Sequence, residues 1–166
     1  LFLLRDGNFD RSRLWRISQS KRLFKIGVRF AIAAGLLGLY VVLVEPLALL
    51  YFPRQRPLLW AAVIVLYPLL SVFPQAIIYR AFLFYRYRPL FDGWLVIAVS
   101  AASFSFMHII FENPLAVILT LLGGVVFART YEETGSLIIS GIEHALYGGF
   151  IFTIGLGKYF YYGSVI

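Results

Sequence analysis

Five side chains in this sequence could do chemistry in surroundings where chemistry is rare. Gln75, Arg80, His108, Glu143 and His144 all fall inside long apolar runs. A charged or amide group in hydrocarbon is expensive, so each implies a partner and a role. A neutral histidine can act as general base, donate a hydrogen bond to an oxyanion, or ligate a metal, and a nearby carboxylate can activate water for attack on an amide. No serine stands in a nucleophile-elbow context and cysteine is absent, which puts direct water attack ahead of an acyl-enzyme. The HExxH signature of soluble zinc proteases is missing too. With only two histidines a permanent structural metal is not expected, although His108 and His144 could share a divalent ion such as zinc. Arg80 lacks an acid one turn before it, because position 76 is Ala76.

The elements that must position these groups are membrane helices. The 166 residues are 61% hydrophobic and 14% charged, with a mean hydropathy of +0.84, which is the composition of a polytopic membrane protein rather than a soluble globule. Eight of the fifteen Lys and Arg lie between Arg5 and Arg29. That juxtamembrane cluster reads as positive-inside anchoring to anionic headgroups and not as a nucleic-acid surface. The first residue is Leu1, so the chain is expected to start inside a longer protein, and no cleavable signal sequence is evident.

Taken in order, residues 1–23 form a basic juxtamembrane segment. Within it, 8–23 carry Phe9, Leu14, Trp15, Ile17 and Leu23 among basic residues, as expected of an amphipathic segment lying on the membrane. Residues 24–166 form the bundle. A first span runs from Phe24 to Val44, with Lys25 and Arg29 near its start able to snorkel to headgroups. Pro57 to about Tyr85 exceeds the ~20 residues needed to span, and Pro68 and Pro74 are its kink candidates. After a loop through Arg88 and Asp92, a third helix reaches about Phe111, and a short Glu112-Asn113-Pro114 turn follows. A fourth helix covers Leu115 to Arg129, where Gly123-Gly124 permits close packing. Tyr131 to Gly135 reads as a polar turn, Ser136 to about Gly155 as the fifth helix, and the tail to Ile166 as aromatic and interfacial. The fold expected is an all-α bundle of about five spanning helices. With the N-terminal cluster cytoplasmic, Arg86, Arg88 and Arg129 share its face, leaving Arg54, Arg56 and Lys158 opposite.

At ~1.5 Å rise per residue, position 76 lies roughly 14 Å from the cytoplasmic end, His144 roughly 12 Å and His108 roughly 21 Å. These comparable depths suggest one polar cavity within the bilayer. Taken alone, His108 is equally well explained by an interhelical hydrogen bond. Glu143 is turned about 100° from His144, and structural pairing with Arg80 or Arg129 explains it as well as catalysis does. Glu112, four residues after His108, reads more as a solvated turn residue than as the group orienting the ring. The Gly, Phe and Tyr of the fifth helix read as packing.

Together these motifs resemble those of the CPBP (Abi) family of intramembrane proteases, which includes the type II CAAX prenyl endopeptidases. Gln75-Ala76-Ile77-Ile78-Tyr79-Arg80 stands for its EExxxR motif, Phe104-Ser105-Phe106-Met107-His108 for FxxxH, and His144-Ala145-Leu146-Tyr147-Gly148 for HxxxN. The resemblance covers roughly residues 57–155. It implies a first-motif glutamate that activates water, a second-motif His that shares that work or binds metal, and a third-motif His that stabilises the oxyanion with its Asn. This chain departs from the pattern at Gln75, Ala76 and Gly148, and neither a methyl group nor an amide is a base at neutral pH.

Two readings of position 76 follow. One is a catalytically silent relative used for binding, escort or immunity. The other, preferred, is a deliberate glutamate-to-alanine inactivation, with Arg80 the unpaired remnant and Glu143 a substitute partner. In that reading His108 and His144 carry the chemistry, Arg80 orients and balances charge, and Gln75 neighbours the base. The expected partners are the bilayer and a peptide or protein substrate: a prenylated C-terminal peptide, a bacterial leader peptide or a membrane-embedded tail. The expected location is a bacterial inner membrane. A small transporter ranks lower, because no internal repeat is convincing.

Overall fold

In the computed structural model, which describes residues 2–17, 20–91 and 93–160, the chain is helical with no strand among the described residues. Five helices are long and apolar enough to cross a membrane: α1 Ser20–Val44, α2 Pro57–Tyr87, α3 Gly93–Phe111, α4 Pro114–Thr134 and α5 Leu137–Ile154. This is an integral membrane protein, built from the structure that satisfies every backbone donor and acceptor within its own segment. Asp92, Ser18, Gln19 and the end of the tail, 161–166, lie outside the described residues.

Local chemistry sets the helix ends. Asn113 caps α4 by accepting from the N–H groups of Leu115 and Ala116 at 2.9 and 3.2 Å, with Pro114 in the first turn. The helix does not stop at Arg129 as expected but continues to Thr134. The polar look of 130–134 is deceptive: Thr130, Tyr131 and Thr134 are buried against the bundle, while Glu132 and Glu133 pair with Arg88 and Arg129, each at 2.8 Å. Gly135, in the left-handed region at φ 60°, ends it. Ser136 then caps α5 through the Ile139 N–H.

In α2 the expected kinks are π-helical turns, at Pro68–Val72 and Ile77–Phe82, separated by one α-helical turn from Phe73 to Ala76. Pro74 has no N–H to give to the carbonyl one turn earlier, and a wider turn accommodates the mismatch. Within the second π segment the Leu83 N–H reaches back to Ile78 O, and the Tyr79 carbonyl beside it accepts the Ser100 hydroxyl of α3 at 2.7 Å.

Apolar tails cannot drive helices together in lipid, so close packing and such hydroxyl bonds must. Ser105 donates from α3 to Val117 O of α4, and Ser140 donates from α5 to Phe127 O of α4, both at 2.8 Å. A Cβ at Gly124 would lie 3.0 Å from the Ala101 backbone, so only glycine permits the α3–α4 approach there.

Two apolar clusters close the ends. At the basic end Leu3 and Phe9 pack with Ala76, Ala81, Phe84, Ile97 and Tyr131, so the N-terminal segment plugs the bundle with Phe9 where it was expected to lie on the membrane. Its helical parts are short: an α-helical turn, Phe2–Arg5, and a 3₁₀ turn, Arg11–Leu14, capped by Asp10. At the other end Val41, Ile154 and Leu156 are buried together. The first part of the tail, Leu156–Phe160, is thus a structural turn. It is tied to the end of α1 by Lys158 and Tyr159, which both donate to Glu45.

Substituting Gly124→Val should therefore cost about 1–3 kcal/mol through overpacking. Gly35→Ala, where a Cβ meets nothing within 4 Å, should be near neutral; thermal unfolding in detergent compares them. A second expectation concerns pH. Burial pushes the Glu45 carboxyl up, but the hydrogen bonds from Lys158 and Tyr159 outweigh it and hold the group below its usual value. The tie therefore stabilises above the unfolded glutamate pKa of about 4.3 and is lost as pH falls through the lowered folded value. Amide protection at 156–160 should fall on acidification below that range, and Glu45→Gln should remove this dependence.

Candidate functional site

Between the two apolar clusters lies a cavity of about 550 Å³ lined by residues of all five helices. Its apolar wall includes Ile32, Leu36, Leu119, Val126 and Ile151, and its polar patch is Ser71, Gln75, Tyr67, His108 and His144, with Gly148 alongside. Three of the expected positions on α2, α3 and α5 thus meet at one space. Ala76 does not line it: the residue is buried in the basic-end cluster. Arg80 sits behind an aromatic wall.

His108 occupies the 3₁₀ turn Met107–Phe111 that finishes α3. Its Nδ1 lies 2.7 Å from the Phe104 carbonyl of its own helix. A carbonyl only accepts, so Nδ1 carries the proton, and the neutral ring presents an Nε2 lone pair. The ring is therefore oriented by the first residue of its own motif. Gln75 is held by a 3.2 Å bond from Nε2 to Ser71 Oγ.

His144 is nearly buried, stacked on Phe127 at 4.6 Å and edge-on to Phe104 at 5.3 Å. Its Nε2 is 3.1 Å from the Tyr67 hydroxyl, and its Nδ1 is buried with no partner among the described residues. Tyr67 was not singled out from sequence. A tyrosine deep in an apolar run, whose hydroxyl needs a partner, was the available signal.

Arg80 is 0% exposed. None of its three guanidinium nitrogens has a hydrogen-bond partner among the described residues. Its guanidinium carbon lies 4.5 Å from the Phe104 ring centre and 5.5 Å from that of Phe127. Cation–π contacts of this kind are worth about 2 kcal/mol when desolvated, against a penalty of several kcal/mol for burying the ion. The site therefore holds a cation short of its counterion.

Glu143 does not supply that counterion, nor does it pair with Arg129. It is fully buried and 3.1 Å from Arg29 Nη2, and the same nitrogen donates to Thr130 Oγ1 at 2.8 Å. Arg29, expected to snorkel outward, turns inward because a buried carboxylate on α5 demands it. For a metal, the donor set is thin: no group of three or more His, Asp or Glu converges among the described residues, and His144 Nε2 is already engaged. Two imidazoles of this arrangement do not make a zinc site.

The model of one protein family, described as Type II CAAX prenyl endopeptidase Rce1-like, matches residues 56–150, more than half of the chain and all the elements bearing the polar patch. No curated protein and no solved structure matches.

Removing one member of the Arg29–Glu143 pair, whose carboxylate is fully buried and whose arginine is half-buried, tests its structural standing. Arg29→Met should destabilise by about 3 kcal/mol or more by stranding the Glu143 carboxylate, whereas Arg29→Met with Glu143→Leu should recover most of the loss. Chemical unfolding in detergent measures both.

Proposed function

The chain belongs to the Rce1-like family of type II CAAX prenyl endopeptidases, and we propose that it is an intramembrane endopeptidase fold whose water-activating carboxylate has been replaced by Ala76. The observation that carries this reading is the Arg80 guanidinium, fully buried with no hydrogen-bond partner among the described residues, one turn after position 76. A glutamate there would supply the missing charge and a base at the same time.

With that carboxylate restored, the chemistry is addition of water to an amide. The carboxylate takes a proton as the water oxygen bonds to the carbonyl carbon. His108 Nε2, a lone pair facing the cavity, can hold the second water hydrogen and orient the attack. The tetrahedral intermediate collapses with cleavage of the C–N bond, and the amine leaves with the proton the carboxylate held. Gln75 neighbours the base, and Arg80 orients and balances it. The apolar wall of the cavity suits a peptide that is lipidated or embedded in the membrane, a prenylated C-terminus being the first candidate. Orientation follows the basic N-terminal segment, placed in the cytoplasm of a bacterial cell with the bundle in the inner membrane.

Cleavage of a labelled farnesylated peptide tests the reading. The chain as it stands should be inactive. Ala76→Glu should gain hydrolysis, and adding His108→Ala should lower that rate about 10²-fold or more. Activity of Ala76→Glu should be indifferent to a chelator; loss with chelator would transfer the role of water activation to a metal. The encoding gene is expected to specify glutamate at position 76. A folded Ala76→Glu protein that cleaves no prenylated, leader or membrane-embedded peptide, from a gene that specifies alanine, would leave the silent binding protein as the better reading.

A further inference from the structure

Gly148 has no side chain, and a Cβ there would lie 2.3 Å from the Tyr67 hydroxyl oxygen and 2.4 Å from a ring carbon. Tyr67, from α2, fills the volume that any side chain at 148 on α5 would need. It does so as a wall of the same cavity that Gln75, His108 and His144 border, with its hydroxyl 3.1 Å from His144 Nε2.

Hydrogen-bond accounting sets the direction of that contact. If Tyr67 donated to Nε2, the neutral ring would carry its proton on Nδ1, an orphaned buried N–H, because Nδ1 has no partner among the described residues. If Nε2–H donates to the phenol oxygen instead, Nδ1 keeps only an unused lone pair. Orphaned donors are the rarer defect. In this second arrangement the phenol O–H is released from His144 and free to donate into the cavity. His108 cannot play that part, since its one N–H is committed to the Phe104 carbonyl and it offers only an acceptor. Of His108, His144 and Tyr67, which meet at this end of the cavity, the one left with a donor to offer an amide oxygen is thus Tyr67, through its hydroxyl.

We infer that Tyr67 is the oxyanion donor of this site, a catalytic residue held and polarised by His144 Nε2–H and given its place by the glycine at 148. The inference rests on the proteolytic reading above. As water adds to the carbonyl carbon, the C=O π pair moves onto oxygen, and that oxygen accepts the Tyr67 O–H. The water proton goes to the carboxylate at position 76. On collapse the pair returns to the carbonyl, the C–N bond breaks and the amine takes that proton. Tyr67 keeps its own proton throughout.

Two measurements test this, one of them independent of turnover. The first uses the chain as it stands and compares a farnesylated peptide with the same peptide carrying a tetrahedral phosphinic group in place of the scissile amide. Tyr67→Phe should weaken phosphinic-peptide binding at least about 30-fold while leaving the amide peptide within about twofold, in keeping with a lost oxyanion donor. The second uses Ala76→Glu, in which Tyr67→Phe should lower kcat about 10²-fold at constant KM. Tyr67→Ala alone should be as slow, and Tyr67→Ala with Gly148→Asn should recover part of the rate by returning a donor from α5. Equal loss of both ligands, or no loss of either, in a Tyr67→Phe protein of unchanged melting temperature overturns the inference. So does a phosphinic peptide that binds no tighter than the amide. Failure of the two proposals separates cleanly: phosphinic discrimination without any cleavage by Ala76→Glu rejects the base at 76 and keeps Tyr67, whereas undiminished cleavage by the Tyr67→Phe, Ala76→Glu protein rejects Tyr67 and keeps the protease.

Discussion

The interior of this bundle is arranged around a guanidinium that cannot leave it. Arg80 offers five N–H donors, none of them taken among the described residues, and its charge rests on the faces of Phe104 and Phe127. The same two rings carry the histidines. His144 stacks on Phe127 at 4.6 Å, and His108 tilts over Phe104 at 4.7 Å. A pair of phenylalanines on α3 and α4 therefore serves as the common wall between the cation on α2 and both imidazoles, so displacing Arg80 would move the rings that hold the site in register. This coupling ties Phe104 and His108 into one structural unit. Phe104 supplies the ring beneath Arg80, and its carbonyl fixes the tautomer of His108.

Such a wall is useful only if the helices that bear it are fixed, and in lipid there is little hydrophobic gain to fix them. The protein relies on serine hydroxyls reaching neighbouring carbonyls, on a glycine that lets α3 and α4 touch, and on apolar plugs at both ends. The π turns of α2 belong to the same economy. By widening the helix on either side of the Phe73–Ala76 turn, they re-aim Tyr67, Gln75 and Arg80 without breaking a spanning helix.

Much of this was legible in the sequence because hydrocarbon is an unforgiving solvent. Apolar run length gave the five spans, and the rarity of polar residues within them drew attention to Gln75, Arg80, His108, Glu143 and His144. What escaped depended on three-dimensional pairing. Polar 130–134 looked like a turn because nothing in one dimension says that Tyr131 faces a core and that Glu132 has Arg88 waiting. Arg29 near a helix start looked like a snorkelling residue until a carboxylate from a helix more than a hundred positions away came within 3.1 Å. Tyr67 hid among apolar neighbours, and Gly148 read as a simple loss.

The two departures from the motif pattern, at 76 and 148, are not alike in their surroundings. At 148 the space of a side chain is filled: the Tyr67 hydroxyl oxygen lies 2.3 Å from where a Cβ would stand, and the same hydroxyl engages His144. Any side chain at 148 would have to displace Tyr67 from this place. At 76 nothing compensates. Ala76 is packed into an apolar cluster, and the arginine one turn on has no counterion among the described residues, Glu143 being committed to Arg29. Position 148 is thus filled from α2, whereas position 76 leaves Arg80 a buried cation with no acid beside it among the described residues.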